Sequence, residues 1–338
     1  MQNSAVINLV NLRHNAKSIK KLLPKNVRFC AVVKADAYGH GAAEVANALY
    51  GYVDCFAVAL AEEGVLLRNS GIKKDILLLI PPFYCDIERV VRYDLTVAVS
   101  DVGTAKRLNR EGKKQHKKIK VHIKVNTGMN RQGVNDISEL KGLCAYIASA
   151  RNLVLEGVFS HFARPENEKS RKSALNNFLL AIKCVKEYNE NVISHISASG
   201  GLLAGVTLDM VRIGIMLYGY TPFKTDKIKL KRVMNITSPV VTNRYLKRGD
   251  HALYGDTRVK KSGNYSLYRC GYADGVMRKN IRGQHGNRCM DLTLSYGKTP
   301  KKKVEILGDA QFLAKQYKTI SYEILCKASI RAERIYRR

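Results

Sequence analysis

The sequence predicts an α/β fold, a (β/α)8 barrel of the TIM type followed by a smaller, mainly β C-terminal domain. Three observations support this prediction: eight short apolar runs recur, most are separated by segments with helical spacing, and the pattern changes after residue 217. We place the barrel at residues 1–228 and the β domain at residues 229–338 of the 338-residue chain.

The eight runs are short, rich in β-branched residues and mostly apolar, which is typical of parallel strands buried on both faces. They lie at residues 28–33, 55–60, 76–80, 95–99, 119–125, 154–159, 192–196 and 211–217. A doubly wound open sheet is the alternative. It more often has about six or seven strands, and no G-x-G-x-x-G fingerprint occurs here.

Segments with helical spacing lie between most of the runs. The predicted helices cover residues 12–23, 42–49, 61–67, 101–110, 138–150 and 169–188. Oxygen-bearing N-cap candidates precede two of them, Ser100 or Asp101 in one case and Asp136 or Ser138 in the other. From residue 236 onward, alternating segments rich in Tyr, Val, Thr and Ile are separated by glycines, which indicates the β domain.

Composition restricts the class of protein. Apolar residues make up 46% of the chain, enough for a packed core, and no apolar run is long enough for a transmembrane helix. The first residues lack a signal-peptide pattern. The eight cysteines are spread without a C-x-x-C pair, so we expect reduced core thiols, no metal site and a cytoplasmic protein.

The net charge of +30 is extreme, and such a surface attracts phosphates of any kind. The basic residues fall in short bursts, without interleaved aromatic residues or a known nucleic-acid-binding motif. This pattern favours solvated lysine-rich loops over a nucleic-acid partner.

Reactive groups in such barrels lie at the C-terminal ends of the strands. The candidates there are Lys34, Arg131, His161, Ser199 with two following glycines, and 212–215. Loops after strands seven and eight frequently bind phosphate, which points to Ser199 and to 214–215. Lys34 follows an apolar run, and desolvation would make its amine a nucleophile for a Schiff base with pyridoxal phosphate. A lysine that merely caps a strand also fits this position.

Several segments resemble the alanine racemase family. Residues 31–41, A-V-V-K-A-D-A-Y-G-H-G, resemble its pyridoxal phosphate attachment motif. Residues 126–133 resemble D-T-G-M-G-R-x-G, and residues 157–162 resemble G-x-x-T-H-F. Further matches follow in the family order at residues 209–219, 254–257, 271–275, 288–291 and 321–323. The resemblance covers nearly the whole chain and implies an isomerase that interconverts L-alanine and D-alanine for peptidoglycan supply.

The resemblance implies catalytic roles for four residues. Lys34 would form the Schiff base with pyridoxal 5'-phosphate and serve as acid and base on one face of the substrate, and Tyr254 would serve on the opposite face. His161 and Arg212 match the pair behind the tyrosine. Arg212 would also hydrogen-bond the unprotonated pyridine nitrogen and weaken the ring as an electron sink. An ordinary β-domain tyrosine and an arginine paired with a structural carboxylate are the alternatives.

Other matched positions bind the cofactor or the substrate. Those matching the phosphate site are Tyr38, Ser199, Gly214, Ile215 and Tyr322. Arg131 and the backbone at Met290 match positions that hold the substrate carboxylate, and Arg131 also lies near the cofactor in the family. Tyr272 matches a tyrosine that lines the access path.

The sequence departs from the family pattern at three positions around the cofactor. Ala198 replaces an asparagine, Asn126 stands where aspartate is frequent, and Asn130 stands where glycine is usual. These changes remove no proposed acid, base or Schiff-base group, but they could retune substrate preference or weaken cofactor binding. Lys124 aligns with a lysine that is carbamylated in some members, and an unmodified lysine is the alternative.

The resemblance also implies a homodimer with shared active sites, in which the β domain of one subunit completes the barrel mouth of the other. A racemase of broader amino-acid specificity and a related barrel-type pyridoxal phosphate decarboxylase are alternatives. The decarboxylases usually place a carboxylate against the ring nitrogen, and Arg212 argues against that group. A non-catalytic basic protein is a further alternative, which would keep its function in Lys34→Ala.

Overall fold

The computed structural model describes residues 2–255, 257–279 and 284–338, which fall into two compact units. The first, called the barrel unit, contains residues 12–37 and 42–231. The second, called the β unit, takes its described residues from 2–11, 38–41 and 232–338. The first strand, β1 (Ser4–Asn8), therefore belongs to the β unit, whereas the sequence analysis places it in the barrel.

Eight parallel strands form the sheet of the barrel unit. They are β2 (Arg28–Val32), β3 (Cys55–Val58), β4 (Ile76–Leu78), β5 (Thr96–Val99), β6 (Ile119–Lys124), β7 (Leu153–Phe159), β8 (Ile193–His195) and β9 (Met210–Ile213). The order is β8-β7-β6-β5-β4-β3-β2-β9, and a bridge between Ala198 and Arg212 nearly closes the ring. The predicted barrel is confirmed, and each of the eight apolar runs overlaps one of its strands.

Helices precede or follow these strands. They are α1 (Leu9–Lys20), α2 (Lys34–Gly39), α3 (Ala42–Leu49), α4 (Ala61–Asn69), α5 (Ile87–Arg92), α6 (Val102–Lys114), α7 (Ile137–Ser149), α8 (Glu168–Lys186) and α9 (Ser199–Leu203). The six that helical spacing in the sequence predicts are present, and three short ones, at residues 34–39, 87–92 and 199–203, are not among the predicted segments. The structure decides between the cap candidates. Asp101 accepts a hydrogen bond from Thr104 N at 2.7 Å and Asp136 accepts one from Glu139 N at 2.9 Å, so both aspartates satisfy amides of a first turn.

The β unit is built around the long strand β10 (Met234–Leu246). The other strands are β11 (Gly263–Tyr268), β12 (Gln284–His285), β13 (Thr293–Tyr296), β14 (Lys303–Leu307) and β15 (Glu333–Arg337). They form a sheet of order β12-β13-β11-β10-β1-β15, in which β14 also pairs with β10. Two helices that the sequence analysis did not predict, α10 (Ala310–Tyr317) and α11 (Ser321–Ala328), complete this mainly β unit.

Three further features concern the class of protein. In the described part of the chain, no helix combines the length and apolar character needed to cross a membrane. Over the same residues, no group of three histidine, cysteine or acidic side chains is arranged to hold a metal ion. All eight cysteines are free thiols, and Cys85 is exposed rather than in the core where we expected it.

Candidate active site

A strained turn fixes the backbone that follows Lys34. The four residues after it, Ala35 to Tyr38, have φ angles between 51° and 55°, in the left-handed region. Each such residue with a side chain costs about 1–2 kcal/mol, and runs of strained residues cluster at functional sites. Two carboxylates hold the turn: Ala35 N donates to Glu63 at 2.6 Å, and Ala42 N donates to Asp36 at 2.7 Å. The sequence analysis missed this conformation, and the half-buried Lys34 stands at its start.

Arg212 lies in β9 and is only 3% exposed. Its Nη1 donates to His195 Nδ1 at 2.5 Å, and its Nη2 donates to Ser160 O at 2.7 Å. Its other acceptors are also neutral, and no carboxylate contacts it among the residues that the structure describes. The alternative of a structural arginine paired with a carboxylate is therefore wrong. Burial lowers the pKa of Arg212 to about 10, so the guanidinium remains charged at neutral pH.

His161 receives a hydrogen bond from Arg212, at 3.3 Å between Nη2 and Nδ1. A guanidinium can only donate, so Nδ1 of the imidazole accepts and its hydrogen resides on Nε2. Burial, and then the positive charges of Arg212, Arg131, Lys34 and Lys124, lower the pKa of His161 to about 3. His161 is therefore a neutral imidazole with an N–H group to offer.

Lys124 is buried at the end of β6, with its amine donating to Leu79 O at 3.1 Å and to Gln132 Oε1 at 2.8 Å. Burial, followed by the charges of Arg131 and Arg212, lowers its pKa to about 8. Arg131 itself is exposed in the loop after β6. This end of the barrel is strongly positive, which suits anionic groups such as a phosphate or a carboxylate. Carbamylation of Lys124 stays a prediction.

Unsatisfied donors mark the ends of β8 and β9. The hydroxyl of Ser199 is buried and has no hydrogen-bond partner among the described residues. In the same part of the chain, the backbone N–H groups of Gly214 and Ile215 find no acceptor. Buried polar groups are normally satisfied, so three orphaned donors beside a positive surface fit a bound anion.

The two glycines after Ser199 have a packing role. A Cβ atom at Gly200 would lie 2.5 Å from Pro165 Cγ, and one at Gly201 would lie 2.4 Å from Ser197 Oγ. Both distances are far inside van der Waals contact, so these positions require glycine for close packing of α9. Packing alone therefore accounts for the small size of both residues.

Tyr38 and Tyr322 form a pair within the β unit, with ring centroids 5.9 Å apart. Burial raises the pKa of Tyr38, and the neighbouring Tyr322 is the second cause of this rise. Burial also raises the pKa of Tyr322 to about 12. Both hydroxyls therefore stay protonated and can donate hydrogen bonds. Gly39 permits this packing, because a Cβ there would lie 2.7 Å from Leu325 O.

The remaining predicted residues of the β unit are exposed. Tyr254 is 80% exposed, Met290 53% and Tyr272 41%. Gly271 packs against the backbone of Met290, where a Cβ atom would lie 2.1 Å from the carbonyl oxygen. Asp256, part of the matched segment around Tyr254, lies outside the described residues.

Two of the three departures from the family pattern contact each other. Asn126 Nδ2 donates to Asn130 Oδ1 at 2.9 Å, and Asn126 Oδ1 accepts from Asn130 N at 3.0 Å. Asn130 has φ 55°, a conformation that favours glycine and that asparagine tolerates. An aspartate at 126 could not donate to Asn130, so the two asparagines form a matched pair. Ala198 precedes α9 and gives that helix no side-chain cap.

Sequence analysis missed a set of polar residues behind Arg212. His195 contacts Arg212 directly, and His122 and Glu156 follow it. The available signal was that each of these polar residues interrupts an apolar strand run. A polar residue in a strand buried on both faces needs a partner, and that requirement could have identified the set.

Known proteins resemble this chain over nearly its whole length. The family described as "Alanine racemase, N-terminal domain" matches residues 7–222, and "Alanine racemase, C-terminal domain" matches residues 233–336. The chain is 36% identical to alanine racemase of Treponema denticola, over 98% of this chain and 97% of the relative. It is 34% identical to alanine racemase 1 of Caldanaerobacter subterraneus subsp. tengcongensis, over 96% and 92%. The solved structure of alanine racemase from Clostridium difficile 630 superposes with a TM-score of 0.94 at 31% identity, covering 100% of this chain and 96% of that one.

Proposed function

Since the chain belongs to the alanine racemase family of isomerases, we propose that it moves the α-proton of alanine between Lys34 on one face and Tyr254 on the other. Interconversion of L-alanine and D-alanine is the activity of this family, and D-alanine supply for peptidoglycan is its general context. The observation that carries the assignment of roles is the buried Arg212, held by neutral acceptors and in contact with His161.

The family generally depends on pyridoxal 5'-phosphate, and we propose that this chain binds it. The orphaned donors of Ser199, Gly214 and Ile215 suit its phosphate. Lys34 would hold the cofactor covalently, and Tyr38 and Tyr322 would add hydroxyl donors to the phosphate. When bound, the cofactor supplies an electron sink that stabilises negative charge at the α-carbon of an amino acid.

Arg212 would set the strength of that sink. An arginine donates hydrogen bonds and holds its own protons, so it would leave the pyridine nitrogen unprotonated. Negative charge would then stay largely at the α-carbon, which would favour return of a proton there. The barrel-type pyridoxal phosphate decarboxylases usually have the opposite arrangement, in which a carboxylate strengthens the sink. The contacts of Arg212 therefore favour racemisation over that alternative.

His161 would make Tyr254 an effective base. A phenol with a pKa near 10 is a poor base unless its anion is stabilised. Because Nδ1 of His161 accepts from Arg212, the Nε2–H group is the one available to donate to a phenolate oxygen. Arg131 would bind the carboxylate of the substrate, with the backbone at Met290 beside it. Tyr272 would line the access path.

We propose a homodimer in which Tyr254 of each subunit serves the barrel mouth of the other. The exposure of Tyr254, Tyr272 and Met290 supports this arrangement. These three proposed site residues are exposed to solvent in the single chain, and a second subunit would cover them. The cytoplasmic location stays a prediction.

Exchange of the α-proton in D₂O tests the proposed function. The full-length protein with pyridoxal phosphate should introduce deuterium into both L-alanine and D-alanine, with loss of optical rotation. Parallel reactions with other small amino acids test the alternative of broader specificity. Release of CO₂ without inversion would contradict racemisation and favour the decarboxylase.

A further inference from the structure

A line of hydrogen bonds leads from Arg212 through two histidines to a carboxylate. Arg212 Nη1 lies 2.5 Å from His195 Nδ1, and His195 Nε2 lies 2.8 Å from His122 Nδ1. His122 Nε2 lies 3.1 Å from Glu156 Oε2. Both histidines are buried, at 0% and 2% exposure. We call these four residues the imidazole relay.

The imidazole relay has only one consistent direction of donation. Arginine is a donor without acceptor capacity, and an ionised carboxylate only accepts. His195 must therefore accept at Nδ1 and carry its hydrogen on Nε2. His122 accepts that hydrogen bond at Nδ1 and donates from Nε2 to Glu156. Burial is the main cause that lowers the pKa of both histidines, which favours their neutral forms. The hydrogen bonds then leave each neutral ring a single tautomer.

The backbone of β7 is shaped for this contact. In the pairing of β6 with β7, Val121 lies opposite Leu155 and His122 lies opposite Gly157. Glu156 is thus the extra residue of a β-bulge, a device that redirects a side chain and is frequent beside active sites. A Cβ atom at Gly157 would lie 2.4 Å from the ring of His122, so only glycine leaves room for this imidazole.

The carboxylate end of the relay is anchored outside the core. Lys120 Nζ donates to Glu156 Oε1 at 2.9 Å and to Asp75 Oδ1 at 3.0 Å. Burial alone would raise the pKa of Glu156, but hydrogen bonds from His122 and Lys120 outweigh it and lower the pKa to about 2. Glu156 is therefore ionised throughout the working range of pH. It is the first carboxylate reached from Arg212 along the relay.

We propose that Glu156 is a positioning residue for racemisation, acting on Arg212 through His122 and His195. This inference rests on the proposed function of Arg212. A carboxylate bound directly to the guanidinium would engage two of its N–H groups in a bidentate pair. The relay brings compensating negative charge through one N–H group only. The other N–H groups of Arg212 remain free to donate to neutral acceptors, which are His195 O, Ile196 O, Ser160 O and His161 Nδ1.

The first test measures tautomers rather than activity. Side-chain ¹⁵N spectra of the full-length holoenzyme, labelled at histidine, are assigned with His122→Gln and His195→Gln. In the unmodified protein both residues should carry hydrogen on Nε2. In Glu156→Gln the charge is lost at nearly constant shape, so the resonances of both histidines should shift. A hydrogen on Nδ1 of His195 in the unmodified protein would overturn the inference.

The second test separates positioning from structure. In Glu156→Gln we expect kcat to fall about tenfold or more in both directions, with KM within about twofold, as for other orienting partners outside the first contact layer. Asp75→Asn is the matched control, because it also removes a partner of Lys120 but leaves the relay intact, and it should keep kcat. Glu156→Asp retains the charge and should retain more activity than Glu156→Gln.

The outcomes distinguish this inference from the proposed function. If the unmodified protein does not racemise alanine, the proposed function fails. If it does, and Glu156→Gln matches it in kcat and in histidine resonances, the inference fails. Equal losses in Glu156→Gln and Glu156→Asp would indicate a merely structural residue and would also overturn it.

Discussion

The barrel unit and the β unit differ in how they present their proposed site residues. In the barrel unit, Arg212, Ser199 and Lys124 are between 3% and 6% exposed. Arg212 and Lys124 are fixed by hydrogen bonds within the same unit. In the β unit, Tyr254 is 80% exposed and Met290 53%. Arg212, Ser199 and Lys124 are thus preorganised inside the chain, as is the pair of Tyr38 and Tyr322 in the β unit, whereas Tyr254 and Met290 are left more than half exposed by their own unit.

The difference shows which roles a folded chain can prepare alone. The guanidinium of Arg212 is held in one orientation because it is buried and its N–H groups are hydrogen-bonded, and the barrel provides both conditions. The proposed proton donor on the opposite face of the substrate, Tyr254, belongs instead to the β unit, and in the proposed homodimer it comes from the other subunit. The exposure of Tyr254, the tyrosine proposed to transfer a proton, therefore agrees with a shared site, and variants in the two units should lose activity in different ways.

The largest effect is expected in the barrel unit, for Lys34→Ala. Loss of the only proposed covalent attachment point should lower racemase activity by at least about 10³-fold. The near-violet absorbance of the protein incubated with pyridoxal phosphate should disappear at the same time. Lys25→Ala, an exposed lysine before β2, is the control and should retain both properties. Retained activity in Lys34→Ala would favour the non-catalytic alternative.

Tyr254→Phe should have the next largest effect, with a different signature. Removal of one proton-transferring hydroxyl is expected to lower kcat by about 10²–10⁴-fold in both directions, while cofactor absorbance persists. Tyr245→Phe removes the hydroxyl of another tyrosine of the β unit, which is 65% exposed, and should leave kcat unchanged. Loss of cofactor absorbance in Tyr254→Phe would show that this tyrosine acts in binding.

Stability of the barrel unit should depend on pH through its buried histidines. His122, His161 and His195 have a lower pKa in the fold than in the unfolded chain, so the unfolded chain binds more protons below about pH 6.5. Between about pH 7.5 and about pH 5.5 the free energy of unfolding should therefore fall, and His161, whose pKa in the fold is about 3, should alone contribute about 1.4 kcal/mol to the fall. Urea unfolding at both pH values measures the total loss, which should be at least the contribution of His161. Equal stability at both would contradict neutral burial.

The smallest effect concerns the paired asparagines of the barrel mouth. Asn126→Asp removes the donor to Asn130 Oδ1 and places a carboxylate beside that oxygen. We expect a loss of about 0.5–1 kcal/mol in the free energy of unfolding, since the contact is exposed. Adding Asn130→Gly removes one of the two opposing oxygens, the other being Asn135 Oδ1, and should restore part of the lost stability. A double-mutant cycle with no coupling would show that the two departures are independent.

The sequence predicted most of the barrel because its strands are buried on both faces and therefore read as apolar runs. Lys34 could be located for the same reason, since it is the first polar residue after such a run. The choice of Asp101 over Ser100 as the N-cap required the structure, because neighbouring oxygens offer the same cap and only the backbone decides.

The parts that the sequence did not predict depend on contacts between distant residues. β1 pairs with β10 and β15, more than 200 residues away, and no local pattern assigns it to the β unit. The bulge at Glu156 is one residue of slip between two strands, so periodicity within either strand does not show it. The left-handed turn after Lys34 contains alanines at positions where such a backbone favours glycine. The residue types therefore give no sign of the turn.

The most direct test of a site shared between subunits uses two inactive variants together. Lys34→Ala and Tyr254→Phe carry different tags, are co-expressed, and the heterodimer is purified through both tags. One of its two sites then combines an intact Lys34 with an intact Tyr254 from the other subunit, so about half of the unmodified specific activity should return. A heterodimer no more active than the separate variants would contradict the shared site.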